Sequence, residues 1–267
     1  MNILVTLDSN YINPLKVMLK SLFLNNQNEE FYIFLLHSSI KPEEMEDING
    51  FITKNGHRFL PIEIKGGDFR DAPIVMHYTK EMYYRLLAFK YLPVDVNKVL
   101  YLDPDILIIN NIRTLYDIDL SGWLYAAAYH NRIPVKEINK FRLMEYEIEE
   151  YFNSGVLLMN LKMQREKIKE KDIFEFVARH KSILILPDQD ILNSLFAKKI
   201  KKLDEILYNY DTRYYRRILS KGNVSMDYII NNTIILHFCG KKKPWGKNYS
   251  GEFYSLYKHY ERLAMTG

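Results

Sequence analysis

The sequence predicts an α/β fold, built on a doubly wound sheet with a C-terminal elaboration. Three observations support this fold class. Short apolar runs of strand length alternate with amphipathic runs of helix length through the first hundred residues. The apolar runs are nearly continuous, which is typical of parallel strands that are covered on both faces. Helix-start signals, such as Asn13-Pro14 and Pro42, stand between the runs.

The elements of the first half follow from these signals in order. Strands are predicted over residues 3–7, 31–36, 59–64 and 98–103, and helices from Asn13, from Pro42 to Gly56 and over 79–91. Ligands of such a sheet bind at the carboxyl ends of its strands. Because Asp8-Ser9-Asn10-Tyr11 follows the first strand in place of a Gly-x-Gly-x-x-Gly turn, a dinucleotide is not expected.

The second half is less regular. Strands are predicted over residues 123–129, 156–159, 183–186 and 233–238, with a basic helix over 162–179, an apolar helix from Asp188 and a terminal helix. The charged insert over residues 131–150 is interpreted as a surface excursion over the site. No repeat or linker divides the chain, so we expect a single domain.

Composition limits the class of function. The formal net charge of +4 is too small to indicate nucleic-acid binding by itself. The single cysteine, Cys239, excludes an intramolecular disulfide and fits a reducing compartment. No apolar run reaches the roughly 18 residues of a membrane span, and no basic leader precedes the first strand. We therefore expect a cytoplasmic protein.

The most informative motif is Asp103-Pro104-Asp105, which interrupts an apolar run. Asp103 is expected at the carboxyl end of a strand, and Pro104 favours an extended backbone that directs both carboxylates to the same side. Two carboxylates suit Mg²⁺ or Mn²⁺, with phosphate oxygens of a substrate filling the remaining positions. The alternative is a proline-containing β-turn between two strands. A haloacid-dehalogenase-like phosphatase motif fits less well, because Leu107 stands where that pattern has Thr or Val.

Six motifs, taken in order, resemble those of glycosyltransferase family 8. These retaining, metal-dependent enzymes include bacterial lipopolysaccharide galactosyl- and glucosyltransferases and glycogenin. The six motifs are Leu7-Asp8-Ser9-Asn10-Tyr11, Tyr83-Tyr84-Arg85-Leu86, Asp103-Pro104-Asp105, Phe152-Asn153-Ser154-Gly155-Val156, Pro187-Asp188-Gln189-Asp190, and His237-Phe238-Cys239-Gly240 followed by Lys243-Pro244-Trp245. The resemblance implies a Rossmann-like GT-A fold, a nucleoside diphosphate sugar as donor, usually with uridine, and Mn²⁺ as the metal, with Mg²⁺ as an alternative.

The resemblance also implies a role for each motif residue and each part of the domain. The implied metal ligands are Asp103, Asp105 and His237. The implied donor-binding residues are Thr6, Asp8, Asn10, Tyr11, Arg85, Asp103, Asp105, Asn153, Gly240 and Lys243. Gln189 and Asp188 are the candidate catalytic residues. Within the single domain 1–267, residues 1–110 would bind the nucleotide sugar, 111–250 would form the acceptor and catalytic half, and 251–267 the C-terminal helix.

The residue types leave structural alternatives open. His237 ends an apolar strand, where a histidine fits a structural hydrogen bond as well as a metal ligand. Lys243 fits a phosphate contact, or simple exposure to solvent as part of the basic run 241–243. Arg85 fits a sugar or phosphate contact, or an ion pair with Asp8 or Asp188. Asp188 also fits a helix N-cap.

The implied reaction replaces the nucleoside diphosphate by an acceptor hydroxyl on the same face of the anomeric carbon. A double displacement would need an enzyme nucleophile, and the amide of Gln189 is a poor one. We therefore favour a front-face route, in which the departing phosphate takes the proton of the acceptor. Asp188 as an orienting base is the alternative.

The predicted function is a retaining hexosyltransferase that moves glucose or galactose from a UDP-sugar to a saccharide or glycolipid. Residues 131–150 and 208–226 are expected to line the acceptor. The terminal helix carries Tyr254, Lys258 and Arg262, which fit either contact with an anionic membrane at its inner face or packing on the domain. The alternative functions are a catalytically idle sugar-nucleotide or glycan-binding protein and a self-glycosylating primer like glycogenin.

Overall fold

The computed structural model describes residues 1–64, 81–129, 150–180, 183–215 and 224–266. The strands in these ranges are β1 (Asn2–Thr6), β2 (Tyr32–His37), β3 (Arg58–Glu63), β4 (Lys98–Leu102), β5 (Ile106–Ile108), β6 (Tyr125–Tyr129), β7 (Phe152–Asn160), β8 (Ile200–Leu203), β9 (Tyr210–Asp211) and β10 (Ile235–His237). The α-helices are α1 (Ile12–Leu24), α2 (Pro42–Lys54), α3 (Glu81–Tyr84), α4 (Ala88–Tyr91), α5 (Arg113–Tyr116), α6 (Leu161–Lys167), α7 (Glu170–His180), α8 (Pro187–Phe196), α9 (Glu205–Tyr208), α10 (Met226–Asn232) and α11 (Tyr254–Thr266). Short 3₁₀ helices cover Ser9–Tyr11, Ala197–Lys199 and Thr212–Tyr214.

A seven-stranded sheet forms the centre of the described structure, in the order β3-β2-β1-β4-β7-β6-β8. The strands β3, β2, β1 and β4 run parallel to one another, as the alternating pattern of the first half predicts. The strand β7 then runs antiparallel to both β4 and β6, and β8 is parallel to β6. The predicted α/β class is confirmed, with a mixed rather than fully parallel sheet.

A second, three-stranded sheet lies at the carboxyl end of β4, in the order β5-β10-β9. The strand β10 is antiparallel to β5, with His237 opposite Ile106, and parallel to β9, with His237 opposite Asp211. This small sheet therefore joins the segment that follows Asp103-Pro104-Asp105 to the strand that carries His237.

The core divides by strand alternation because successive side chains point to opposite faces of the main sheet. On one face Leu4 and Tyr101 join a buried cluster with residues of α3 and α4. On the other face Ile3 and Leu100 pack against the inner side of α1. Burial on both faces explains why the strand sequences are continuous apolar runs.

The structure corrects three expectations from the sequence. The helix expected over 79–91 is divided into α3 and α4 by a turn at 85–87, and its first two residues lie outside the described ranges. The helix expected over 162–179 is divided into α6 and α7, because Ile168 is extended and buries its side chain. The strand expected over 183–186 is wrong, since the Asp190 carboxylate accepts hydrogen bonds from the N–H groups of Ile185 and Leu186 and holds them in a turn. The expected insert over 131–150 lies outside the described residues except for its last position.

The terminal helix α11 packs on α1. Tyr257 is buried, and the Asn25 amide donates a hydrogen bond to the hydroxyl of Tyr260 at 2.8 Å. Packing on the domain is therefore the observed role of this helix. Among the described helices, none has the combined length and hydropathy required to cross a bilayer.

Arg165 of α6 ties the end of α4 to the start of β4. Its guanidinium donates hydrogen bonds to the carbonyl oxygens of Phe89, Leu92, Pro93, Val94 and Val96 at 2.8–3.3 Å. The segment between α4 and β4 has little regular structure. The Arg165 guanidinium therefore supplies hydrogen-bond donors to carbonyl groups that have no partner in a helix or sheet.

We expect Arg165→Ala to lower the free energy of unfolding by about 2 kcal/mol, because several carbonyls lose a charged donor at once. Arg165→Lys should lose most of the same stability, since an ammonium cannot reproduce the fork of donors. Urea denaturation measures the effect as a lower midpoint at constant slope. Lys162→Ala, an exposed change on the same helix, is the control, and an equal loss there would contradict this role.

Candidate active site

The Asp103-Pro104-Asp105 loop is held between the two sheets by main-chain hydrogen bonds. The Asp103 N–H donates to the carbonyl of Gly155 in β7 at 2.8 Å, and the Asp105 carbonyl accepts from the N–H of Phe238 at 3.0 Å. Both strands reach the loop because β7 begins where the antiparallel β4 ends, and β10 ends beside the start of β5. The loop is therefore held by two other parts of the chain.

The three predicted metal ligands come together. Each of Asp103, Asp105 and His237 offers one ligand atom, and these atoms all lie within 4.8 Å of one another. Two carboxylates and an imidazole form a donor set that suits Mn²⁺. Within the described ranges, these three residues are the group of His, Cys, Asp or Glu side chains that lie close enough together to hold a metal ion.

Gly155 provides the space between these ligands. A Cβ on Gly155 would contact Cε1 of His237 and would lie 2.6 Å from Oδ2 of Asp103. A side chain there would fill the cradle between two ligands, so the residues present fit a bound ion of the expected kind.

The two carboxylates are compensated by different cations. Asp103 pairs with Arg85 at 3.1 Å, whereas Asp105 pairs with Lys243 and lies 3.3 Å from Nε2 of His237. Burial and the neighbouring Asp105 raise the pKa of Asp103, and Arg85 opposes this rise. Burial also acts to raise the pKa of Asp105, but His237 and Lys243 outweigh it and hold that pKa below its usual value.

Arg85 has several partners in the site. It pairs with Asp188 at 3.0 Å, donates to the Ser154 carbonyl at 3.3 Å and lies over the Tyr101 ring, 4.4 Å from its centroid. The predicted alternative of an Asp188 pair is therefore observed, while the Asp103 pair was not foreseen. Asp188 is not an N-cap, because α8 begins after Leu186 and has no side-chain cap.

A hydrogen-bonded set of amides connects Gln189 to His237. Oε1 of Gln189 accepts from Nδ2 of Asn153 and from the N–H of Ser154, both at 3.2 Å. Oδ1 of Asn153 accepts from Nδ2 of Asn209 at 2.8 Å, and Oδ1 of Asn209 lies 2.8 Å from Nδ1 of His237. Asn209 was missed by the sequence analysis, which gave its segment only as an acceptor wall, and no local motif marks it.

The predicted nucleotide-binding residues lie at the end of β1. Asp8 accepts a hydrogen bond from the N–H of Asn10 at 2.8 Å and thereby caps the 3₁₀ helix Ser9–Tyr11. Tyr11 packs edge-on against Trp245 with a centroid distance of 5.7 Å. Burial raises the pKa of Tyr11, and the nearby Lys243 acts in the opposite direction. The hydroxyl of Thr6 lies 3.3 Å from that of Tyr101.

Lys243 differs from the basic residues beside it. It is half-buried and donates hydrogen bonds to the Asp105 carboxylate and, at 2.9 Å, to the Phe238 carbonyl, whereas Lys241 and Lys242 are exposed. Gly240 has a φ of 89°, which favours glycine. The turn between His237 and Lys243 therefore returns an ammonium to the metal-ligand cluster.

Comparison with known proteins agrees with this fold. The family model described as Glycosyl transferase family 8 matches residues 2–249. General stress protein A of Bacillus subtilis (strain 168) is 26% identical over 97% of this chain and 92% of its own. The lipopolysaccharide 1,2-glucosyltransferase of Escherichia coli (strain K12) is 27% identical over 92% of this chain and 73% of its own. The crystal structure of the galactosyltransferase LgtC, in complex with donor and acceptor sugar analogs, superposes with a TM-score of 0.85 at 27% identity and covers 100% of this chain and 97% of that one.

The mixed sheet and the clustered motif residues thus define a glycosyltransferase of the GT-A fold. Because the family match spans nearly the whole sequence, the chain belongs to glycosyltransferase family 8. The predicted family, the GT-A fold and the hexosyltransferase class are confirmed.

We expect Gly155→Ala to lower the affinity for Mn²⁺ at least tenfold, because the added methyl displaces His237 or Asp103 from the cluster. Calorimetric titration with Mn²⁺ measures the change. Gly50→Ala is the matched control, since a Cβ at Gly50 meets no atom within 4 Å. Equal Mn²⁺ affinities for Gly155→Ala and the unmodified protein would show that Gly155 does not shape the ligand set.

Proposed function

We propose that this protein is a retaining hexosyltransferase that uses a UDP-hexose and Mn²⁺ and transfers glucose or galactose to a saccharide or glycolipid. The observation that carries this proposal is the close cluster of half-buried Asp103 with buried Asp105 and His237, in which Lys243 is also paired with the Asp105 carboxylate. Belonging to glycosyltransferase family 8 supports a sugar donor. The particular sugar, the uridine and the manganese are parts of the proposal.

Asp103, Asp105 and His237 would hold the cation. When bound, Mn²⁺ would supply positive charge that stabilises the diphosphate as it leaves, and Mg²⁺ is the alternative ion. Lys243 is placed to add a second positive charge, because its ammonium already contacts Asp105.

The donor would lie across the ends of β1 and β4. We assign Asp8, Asn10 and Tyr11 to the uracil and ribose, with a contact from Thr6, and Gly240 to a main-chain contact with the diphosphate. Arg85, Asp188, Asn153 and Gln189 would contact the sugar from the other side of the cluster. Their buried and mutually hydrogen-bonded positions support this assignment, since fixed polar groups orient a substrate at little cost. In this proposal residues 1–110 bind the nucleotide sugar and 111–250 supply the acceptor and catalytic half.

The transfer would proceed on one face of the sugar. The bond from the anomeric carbon to the phosphate oxygen breaks, the bond to the acceptor oxygen forms, and the acceptor proton passes to the departing phosphate. Gln189 is unsuited to a covalent step, because its amide oxygen already accepts two hydrogen bonds. Asp188 is paired with Arg85 at 3.0 Å, so one of its carboxylate oxygens is already engaged, which supports a positioning role rather than that of the base.

The acceptor would approach beside β10. A cavity of about 390 Å³ lies there, and its lining includes Thr212, Arg213, Tyr215, Cys239 and Gly240. These residues include the described part of the predicted acceptor wall 208–226, whereas residues 216–223 lie outside the described ranges. The Escherichia coli relative is by its name a lipopolysaccharide glucosyltransferase, which supports a glycan acceptor.

Because Tyr257 and Tyr260 pack inward, membrane contact through α11 is not part of this proposal. A cytoplasmic location stays a prediction.

We expect UDP to raise the melting temperature in the presence of Mn²⁺ and not in its absence, since a ligand stabilises the state that binds it. Asp105→Asn should fold, lose this Mn²⁺-dependent shift and hydrolyse UDP-glucose or UDP-galactose at least ~10²-fold more slowly. Thermal shift and UDP release measure the two effects. Asp47→Asn, which removes an exposed acid from its ion pair with Lys16, is the control. Mn²⁺-dependent UDP binding without any turnover would instead identify an idle binding protein, and hexose on the protein itself would identify a self-glycosylating primer.

We expect an α-linked product from an α-linked donor, as proton NMR of the new anomeric centre would show. Gln189→Ala should slow turnover yet leave measurable activity, because a positioning contact is partly replaced by its neighbours, whereas a nucleophile is not. A β-linked product would refute retention, and a trapped hexosyl adduct on Gln189 would refute the front-face route.

A further inference from the structure

A chain of four buried polar side chains runs beneath the site from His237 to Gln189 through Asn209 and Asn153. The successive distances are 2.8, 2.8 and 3.2 Å. Asn209, in the middle, is only 2% exposed. In such surroundings each polar group needs a partner, so the geometry of one amide constrains the next.

Two backbone N–H groups fix the direction of this chain. Gly155 donates to Oδ1 of Asn153, and Ser154 donates to Oε1 of Gln189. Because a backbone N–H can only donate, both of these side-chain atoms must be oxygens. Asn209 must then present its NH₂ group to Asn153 and its oxygen to His237.

The direction has a consequence at each end. The oxygen of Asn209 requires a hydrogen on Nδ1 of His237, which leaves Nε2 as the ring nitrogen that faces Asp105 and binds the metal. At the other end, the Gln189 oxygen is occupied. Its amide nitrogen has no acceptor in the part of the chain that the structure describes, so this N–H group is the one left for a substrate.

We propose that Asn209 is a positioning residue that orients His237 toward the metal and Gln189 toward the donor sugar. Among the described side chains, Asn209 is the one that contacts both His237 and Asn153. The inference rests on the proposed function, which assigns the metal and the sugar. It adds a coupling between them: the same amide that fixes the imidazole also fixes the group beside the anomeric carbon.

Two substitutions separate the two effects. Asn209→Asp keeps an oxygen for His237 but loses the N–H group that Asn153 accepts. Asn209→Leu keeps the branching at Cγ but has no polar atom, so it loses both contacts. Partners of metal-ligating histidines typically contribute about 10- to 100-fold in metal affinity, so Asn209→Leu should weaken Mn²⁺ binding by that factor.

The test uses the full chain with Mn²⁺ and UDP. Electron paramagnetic resonance of free Mn²⁺, in the presence of UDP, gives the metal affinity, and UDP release gives kcat for UDP-hexose hydrolysis at saturating Mn²⁺. For Asn209→Asp we expect an Mn²⁺ affinity within about threefold of the unmodified protein, as its ligand partner is kept. Its kcat should fall about tenfold or more, as its link to Gln189 is lost.

The matched control is Asn26→Asp. Asn26 is 3% exposed, accepts the N–H of Ile112 and donates to the Leu22 carbonyl, away from the site. It should lose stability without a change in Mn²⁺ affinity or kcat. Unchanged Mn²⁺ affinity in Asn209→Leu, unchanged kcat in Asn209→Asp, or equal effects in Asn26→Asp would overturn this inference alone. Failure of the unmodified protein to bind UDP with Mn²⁺ would overturn the proposed function as well.

Discussion

The close placement of two carboxylates, Asp105 buried and Asp103 half-buried, is the constraint on which the rest of the site depends. Two like charges about 4 Å apart repel by roughly 4 kcal/mol at the effective dielectric constant of a protein site, so each needs a counter-charge. Asp103 has Arg85, whereas Asp105 has Lys243 and His237. Since these partners come from distant parts of the chain, the charge balance can form only when the domain is folded.

The mixed sheet is what makes this balance possible. Because β7 is antiparallel to β4, its amino end lies where β4 delivers Asp103, and Asn153, Ser154 and Gly155 enter the site from a strand rather than from a loop. The helix α8 is then attached to the same strand, since the Asn193 amide pairs with both the N–H and the carbonyl of Phe152. Asp188 and Gln189 thus reach the cluster on rigid supports, as an ordered active site requires.

The polar groups of the site fall into two sets that share the predicted metal ligands Asp103, Asp105 and His237. On one side, Lys243 and the turn after β10 bring positive charge to Asp105. On the other side, the charge of Arg85 is paired with Asp188, and the neutral amides of Asn153 and Gln189 are hydrogen-bonded to each other. This division fits a reaction in which charge develops on a leaving diphosphate while the sugar is only held, and it gives little support to a covalent intermediate.

Local sequence patterns were sufficient for β1, β2, β3 and β4. The strands β1, β2 and β4 are buried on both faces and need continuous apolar runs, and the helices between the strands need recognisable starts. The Asp103-Pro104-Asp105 motif and the ordered family motifs also pointed to the residues that now lie together. Periodicity failed where long-range contacts overrode it: the helix over 79–91 breaks at the turn that begins with Arg85, and the apolar run 183–186 becomes a turn that Asp190 holds.

Other features belonged to the tertiary structure alone. The strand β8 contains two lysines and by its sequence resembles a solvent-exposed segment, so only its pairing with β6 identifies it as a strand. The strand β9 has two residues, which are too few to form a recognisable pattern. The choice of Asp188 rather than Asp8 for Arg85, the space that Gly155 leaves and the place of Asn209 all depend on which segments meet at the end of β4. Sequence determined the strands and the chemical types of the site residues, because burial and backbone preference are local. The pairing of these residues was decided by the fold, because a hydrogen bond or an ion pair forms only when the tertiary structure brings both partners within contact distance.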